Sequence, residues 1–344
     1  MVDRLVLHIG TPKTGTTYLQ SLLRTSHREL RDAGVLVPNS GGVDRVRMRS
    51  EIVTGLDGAP GSLMTRVLDE LAAHPGTAVL SEEWLVLAGP DHVARLLEAV
   101  RDRCGPVRVE VVVTTRDFTR LVPAAWQEVL KTGRGDDLDH FVTRMDRPRA
   151  RWGWSSLDPV LAARSWAAHV PADRIHVVVA PSGGGPLELW RRFCRAARLP
   201  DAAVVPSDRS SNETLGVVAA RLLQEVGPGL ASGMHRDGDD VHARYRWLQR
   251  YVSHDVLRSM PREPIALRAD DHAAVRDRAA ATVRAIAAAG WSLTGDPHEL
   301  IGPAAPRGRH PSHVTPLELF AAAGQAMGRV LGDLRDASER PTPT

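Results

Sequence analysis

The stretch that decides the fold runs from Leu5 to Gln20, LVLHIGTPKTGTTYLQ. Its opening is apolar apart from His8, the pattern of a strand covered on both faces. Gly10, Pro12, Lys13 and Gly15 break that run, and Thr16 and Thr17 lead into a helical apolar pattern. A strand, a glycine-bearing turn and a helix start, in that order, build an anion cradle. The glycines let backbone N–H groups converge, and the helix N-terminus adds the positive end of its dipole. The expected ligand is a phosphate or sulfate ester.

The residue types in the turn select among anions. A nucleoside-triphosphate loop places its lysine directly after the second glycine. Gly10 and Gly15 have the matching separation, but Thr16 holds the lysine position, and Lys13 lies two residues before Gly15. What remains is one ammonium, the N–H groups of Thr14 to Thr17 and two adjacent hydroxyls, which suits a single esterified anion at the 5′ end of a nucleotide. Of the 44 basic residues, only Lys13 and Lys131 are lysine. In so arginine-rich a chain, a compact, mobile ammonium inside the loop is a pointed choice, because arginine cannot imitate it.

Working outward, β-branched runs at Leu5–Ile9, Thr77–Ser81, Val107–Thr114 and Ile175–Val179 alternate with helical patterns near 15–27, 61–74, 91–102, 123–131, 158–169 and 186–197. Strands separated by helices predict an α/β, P-loop-like three-layer fold with a mostly parallel central sheet. Residues 31–60 and 131–156 lack periodicity and read as loops or lids. After about Pro206 the pattern turns helical, with candidates at 212–226, 242–258, 270–289 and 316–335. The domains expected are an α/β core over 1–206, a C-terminal helical extension over 207–337 and a disordered tail over 338–344.

The chain has 344 residues, 43% apolar and 25% charged, enough to bury a full core. A net charge of +3 without a basic patch argues against a nucleic-acid partner. Cys104 and Cys194 lack metal-ligand spacing, so we expect no metal, no disulfide and a reducing cytoplasm. The first strand begins too early for a signal peptide, and no apolar run is long enough to span a bilayer.

Ligands of open α/β sheets bind beyond the carboxyl ends of the strands. Those ends carry the anion loop, then Ser81-Glu82-Glu83, then Thr114-Thr115-Arg116-Asp117. If the strands are parallel, a cation cradle, a carboxylate pair and an arginine converge.

The segment PKTGTT over Pro12–Thr17, directly after LVLHIG, resembles the 5′-phosphosulfate loop of sulfotransferases that use 3′-phosphoadenosine 5′-phosphosulfate (PAPS). TTRDFTRLVPAAWQEVLKTGR from Thr114 and SSNETLG from Ser210 resemble a group of actinobacterial sulfotransferase-like proteins. The resemblance implies PAPS as co-substrate, no metal, and a small-molecule or glycan acceptor carrying a hydroxyl or amine. Lys13 would stabilise the leaving 5′-phosphate, with Pro12, Thr14, Gly15, Thr16 and Thr17 completing its loop. Glu83 is the candidate base, Glu82 the second, and His8 the rival. Each also has a plain structural reading, as a solvated glutamate or a buried hydrogen-bonded histidine.

Arg116 resembles the family's 3′-phosphate arginine. The usual pattern runs Arg-Asp-Pro with a serine eight positions on; this chain has Phe118 and Ala124 there. Ser210, Ser211 and Asn212 are substitutes for that hydroxyl, or a plain helix cap. The family's C-terminal Gly- and Lys-rich loop is missing, and Arg307 and Arg309 are the nearest basic residues. Trp126, Gln127, Trp152 and Trp154, with Lys131, lie where the family places acceptor or lid contacts. Trp126 also falls on an apolar helical face, which makes it a core residue on the pattern alone. The alternatives are a nucleotide kinase or NTPase, or a nucleotide-binding pseudoenzyme.

Overall fold

The computed structural model describes residues 1–38, 63–148, 150–185, 187–200, 204, 214–233 and 243–339. Contacts divide the chain into two compact units of interleaved segments rather than cutting it once near residue 206. The first comprises Met1–Leu121, Met145–Asn212 and Val275–Gly302; the second comprises Val122–Arg144, Glu213–Ala274 and Pro303–Thr344.

The first unit is an α/β sandwich in three layers. Its strands are β1 (Val2–His8), β2 (Val35–Leu36), β3 (Gly76–Ser81), β4 (Arg108–Thr115), β5 (Ile175–Val179) and β6 (Ser292–Thr294). All pair in parallel, in the order β2-β3-β1-β4-β5-β6. The four strands legible in the sequence are the inner ones. β2 lies in a stretch read as a loop, and β6 in one read as wholly helical. Each is two or three residues long with one neighbour, too short to carry a period.

Side-chain alternation along β1 explains the layers. Leu5, Leu7 and Ile9 face one way, where they meet Ala78, Leu80, Val111 and Val113 under α3 (Leu63–Ala73), α4 (Pro90–Cys104) and α8 (Pro159–Ala167). Val6 faces the other way, with Val79, Val112 and Val178, under α1 (Thr16–Thr25), α2 (His27–Asp32) and α9 (Glu188–Ala197). His8 falls on that second face, two residues beyond Val6. Glu110 shares it too, fully buried, with Arg108 Nε at 2.8 Å, Arg4 at 3.6 Å and His176 at 3.6 Å. With Arg198 at 4.0 Å, four cationic or protonatable groups surround it, which is what a carboxylate needs to remain inside a sheet.

Helix α5 spans Phe118–Leu130, starting five residues ahead of Pro123. Asp117 is the reason: its carboxylate accepts from the Thr119 N–H at 2.8 Å and its carbonyl takes the Leu121 N–H, which opens the helix early. Residues 131–156, expected to be irregular, contain α6 (Leu138–Thr143), capped by Asp137, and the start of the one-turn α7 (Trp154–Leu157).

The second unit is helical. α10 (Val217–Gly233), a π-helical stretch over Arg244–Val256 and α13 (Pro316–Ser338) pack on one another. α11 (Ala269–Ala288) begins in this unit and continues into the first from Val275, and α12 (Pro297–Ile301) belongs wholly to the first. α13 opens with a capping box in which the Thr315 side chain and Glu318 satisfy each other's backbone N–H groups. No helix among the described residues is long and apolar enough to cross a membrane.

Candidate functional site

The chain leaves β1 and makes the glycine-bearing loop at a topological switch point, since β3 pairs on one side of β1 and β4 on the other. Backbone bonds fix the exit: Ile9 N–H donates to the Val112 carbonyl at 3.0 Å and Thr11 N–H to the Thr114 carbonyl at 3.1 Å. Two residues then take left-handed backbone, Lys13 at φ 65° and Gly15 at φ 92°. Glycine adopts this freely, whereas lysine does so at a cost of about 1–2 kcal/mol. α1 starts at Thr16, directly after the second of these residues.

Gly10 is required by close packing. A Cβ there would lie 2.2 Å from Thr114 Oγ1, 2.6 Å from His8 Nε2 and 2.7 Å from Thr16 Cγ2. Those neighbours belong to a buried hydrogen-bonded chain. Ser81 Oγ lies 2.7 Å from His8 Nδ1, His8 Nε2 lies 3.2 Å from Thr114 Oγ1, Thr114 Oγ1 lies 2.8 Å from Thr14 Oγ1, and Thr14 Oγ1 donates to the Thr11 carbonyl at 2.6 Å. The last bond can only run one way, which orders the rest. Thr14 accepts from Thr114, Thr114 accepts from His8 Nε2–H, and His8 Nδ1 accepts from Ser81. Histidine is therefore held as the neutral Nε2–H tautomer, an assignment made from the network.

Burial points the same way. His8 is fully buried, its ring meets Phe193 edge-on at 5.0 Å, and desolvation pushes its pKa down to about 3. Both ring nitrogens are engaged, so His8 is placed to hold the loop from behind rather than to take a substrate proton.

Of the other predicted residues, the first unit brings several together. Arg116, half-buried beyond the end of β4, donates from Nη1 to the Lys13 carbonyl at 3.1 Å. Burial, followed by the charge of Arg120, lowers its pKa to about 10, which leaves the guanidinium charged at neutral pH. Among the described residues Arg116 makes no ion pair. Glu83 follows β3, and its carboxylate accepts from the Thr16 hydroxyl. Glu82 is buried and turns back to accept from the Trp84 N–H at 3.2 Å, capping a short 3-10 helix over Glu83–Leu87. One glutamate is thus tied to the loop and the other to its own backbone. Thr17 is exposed on α1, and Pro12 is buried in the turn.

The indoles separate. Trp152 is half-buried, 5.5 Å edge-to-face from Trp84, and the Arg151 guanidinium lies 4.2 Å over the Trp84 ring. Trp84 follows Glu83 directly, and sequence reasoning missed it; the SEEW run was its only signal. Trp154 is buried against Phe118 at 5.2 Å beneath Arg278 at 4.4 Å, a packing role. In the second unit, Trp126 is buried and donates to the Asp136 carbonyl at 2.7 Å, while Gln127 exchanges two hydrogen bonds with the Leu215 backbone. The structure therefore gives Trp126 and Gln127, expected at the acceptor, internal partners. Ala124 is buried, and Arg309 is bound by Glu263 and Glu318 at 2.9 and 2.8 Å. Asn212, with Ser210 and Ser211, lies outside the described residues.

No family model matches the chain, and no curated protein or solved structure matches it either.

Proposed function

We propose that this chain is a PAPS-dependent sulfotransferase acting on a hydroxyl or amine of a small-molecule or glycan acceptor. The observation that carries the reading is the pairing of two cations at one strand-end crevice. Lys13 is held in a left-handed turn at a helix start, and Arg116 is bonded to the Lys13 carbonyl and makes no ion pair within 4 Å among the described residues. A half-buried guanidinium held by a neutral carbonyl, beside an N–H cradle, suits a ligand with more than one anionic group.

Sulfuryl transfer then asks for positioning and charge stabilisation. The bond from sulfur to the 5′-phosphate oxygen breaks, and its electron pair stays on that phosphate, where Lys13 and the Thr14–Thr17 N–H groups offset the charge. The acceptor oxygen or nitrogen bonds to sulfur and gives its proton to Glu83. Thr16 belongs to the loop and donates to Glu83, so one residue links the base to the cradle. Arg116 grips the 3′-phosphate. Trp84 and Trp152 supply apolar faces beside Glu83 for the acceptor.

The deciding experiment is calorimetric titration with adenosine 3′,5′-bisphosphate, the desulfated product, on wild type, Lys13→Ala and Arg116→Ala. Micromolar binding lost in both variants supports the donor site. A preference for ATP with Mg²⁺ points instead to a phosphoryl-transfer enzyme. Retained bisphosphate binding with no transfer to any acceptor leaves a nucleotide-binding protein without activity.

A further inference from the structure

α13 carries two apolar faces, and the second unit uses one. Leu319, Ala322, Ala323, Ala326 and Val330 form the inner, buried or half-buried row, and Tyr251 donates to Asp333 at 3.0 Å to fix that side. The outer row is Leu317, Phe320, Gly324, Met327, Leu331 and Leu334. Its five large side chains are 80, 83, 65, 60 and 60% exposed, in that order. The intervals are 3, 4, 3, 4 and 3 residues, a repeat of 3.5 sustained along the helix. That is the period of a seam between two helices, and scattered surface apolar residues have no reason to keep it.

We infer that this outer face is the contact of a two-fold dimer, in which α13 lies antiparallel against α13 of a second copy. Self-complementarity selects the occupant. About the midpoint between Gly324 and Met327, antiparallel pairing sets Leu317 against Leu334, Phe320 against Leu331, and Met327 against Gly324. The knob meets a hole: a Cβ on Gly324 or on Gly328 would find nothing within 4 Å. A parallel pair would set Gly324 on Gly324 and Phe320 on Phe320, leaving a void beside a clash.

The area suffices. Each large side chain has on the order of 100 Å² to bury, so two copies remove roughly 1,000 Å² or more, the size at which a specific interface begins. A lipid surface fits less well. Interfacial helices carry a lysine- and arginine-rich polar face, whereas Glu318, Asp333, Asp336 and Glu339 outnumber Arg329 and Arg335 here, and Arg329 is bonded to Asp333.

Sedimentation equilibrium of the full chain tests the proposal, with Phe320→Asp/Leu331→Asp as the variant. Wild type should be dimeric at about 10 µM, and the double charge should raise the dissociation constant at least about 100-fold. Both residues are exposed, so the melting temperature of the monomer and its circular dichroism should not change. Mixing Leu317→Cys with Leu334→Cys protein under oxidation should give the mixed disulfide in preference to either homodimer. A wild type monomeric at 100 µM overturns the inference, as does a dimer indifferent to the double substitution. Homodimeric cross-links alone overturn the antiparallel arrangement, and binding to neutral vesicles without self-association reassigns the face to a membrane.

Discussion

Lowering the pH from 7.5 to 5.0 should destabilise this protein through His8, and the size follows from its burial. The folded pKa is about 3 against 6.5 for a free histidine. A base whose pKa is depressed by folding binds more protons when unfolded. Its contribution is therefore complete above pH 6.5 and is lost as pH falls from 6.5 toward 3. At pH 5.0 the unfolded ring is almost fully protonated and the folded ring almost never, a penalty of about 2 kcal/mol that grows to about 4 kcal/mol at pH 3. His8→Gln isolates this term. The amide can still donate to Thr114 but abandons Ser81, so the variant should begin about 1–2 kcal/mol less stable at pH 7.5. By pH 5.0 the two proteins should be about equally stable, because only wild type carries the proton penalty. Urea unfolding followed by tryptophan fluorescence at both pH values measures the gap, and ring carbon shifts report the His8 titration directly. A gap that stays constant, or a ring that titrates between pH 6 and 7 in the folded state, would refute the wired, neutral histidine.

Gly10→Ala drives a methyl into Thr114, His8 and Thr16 together, so it should cost about 1–3 kcal/mol in thermal or urea unfolding and weaken bisphosphate binding. At Lys13, φ 65° favours glycine. Lys13→Gly should therefore be more stable than Lys13→Ala by about 1 kcal/mol, while the two bind the bisphosphate equally poorly. On the proposed role of Glu83, Glu83→Gln keeps an acceptor for Thr16 but removes the base, so turnover should fall about 10²–10⁴-fold with donor affinity unchanged, measured by a sulfate-transfer assay and calorimetry. Glu110→Ala removes the buried carboxylate that Arg4, Arg108 and His176 share, and because Arg108 is part-exposed and can be rehydrated it should cost about 1–3 kcal/mol by denaturant unfolding.

The β1, loop and α1 unit was legible because each of its signals is local: an apolar run, two glycines and a helical period within sixteen residues. The inner strands were legible for the same reason, since strands covered on both faces read as unbroken β-branched runs. β6 was not, because a three-residue edge strand after a long helix leaves no pattern of its own, and parallel pairing with β5 decides it. Pro123 read as either the first turn of α5 or a point within it; the helix starts five residues earlier, where Asp117 does the capping, so proline, the louder signal, lies inside. At the site, Lys13 and Arg116 could be nominated from motif and strand direction. The chain from Ser81 through His8 and Thr114 to Thr14 could not, because it depends on the register that sets His8 beside Ser81. Trp126 carried both signals in the sequence: family position suggested an acceptor contact, its apolar helical face indicated the core, and its burial agrees with the second.

The wired chain also bears on how the loop would work. An anion site made of backbone N–H groups is strong only if those groups already point the right way before the ligand arrives. Here the hydroxyls of Thr11 and Thr14 are satisfied inward, by the Thr114 carbonyl at 2.8 Å and the Thr11 carbonyl at 2.6 Å. They do not compete for the ligand, and they hold the turn in its strained form. Arg116 adds a tie from the opposite side, through the Lys13 carbonyl, so the two cations are coupled by a single peptide. The ordering cost of the cradle is thus met in folding, largely by hydroxyls that are bonded inward before a ligand arrives. On that argument, Thr114→Val should weaken bisphosphate binding although its hydroxyl is buried behind the loop, and the loss should appear as a faster off-rate with the on-rate preserved. Unchanged affinity in a folded Thr114→Val protein would mean that the loop is rigid without its inner bonds, and that the turn alone sets the cradle.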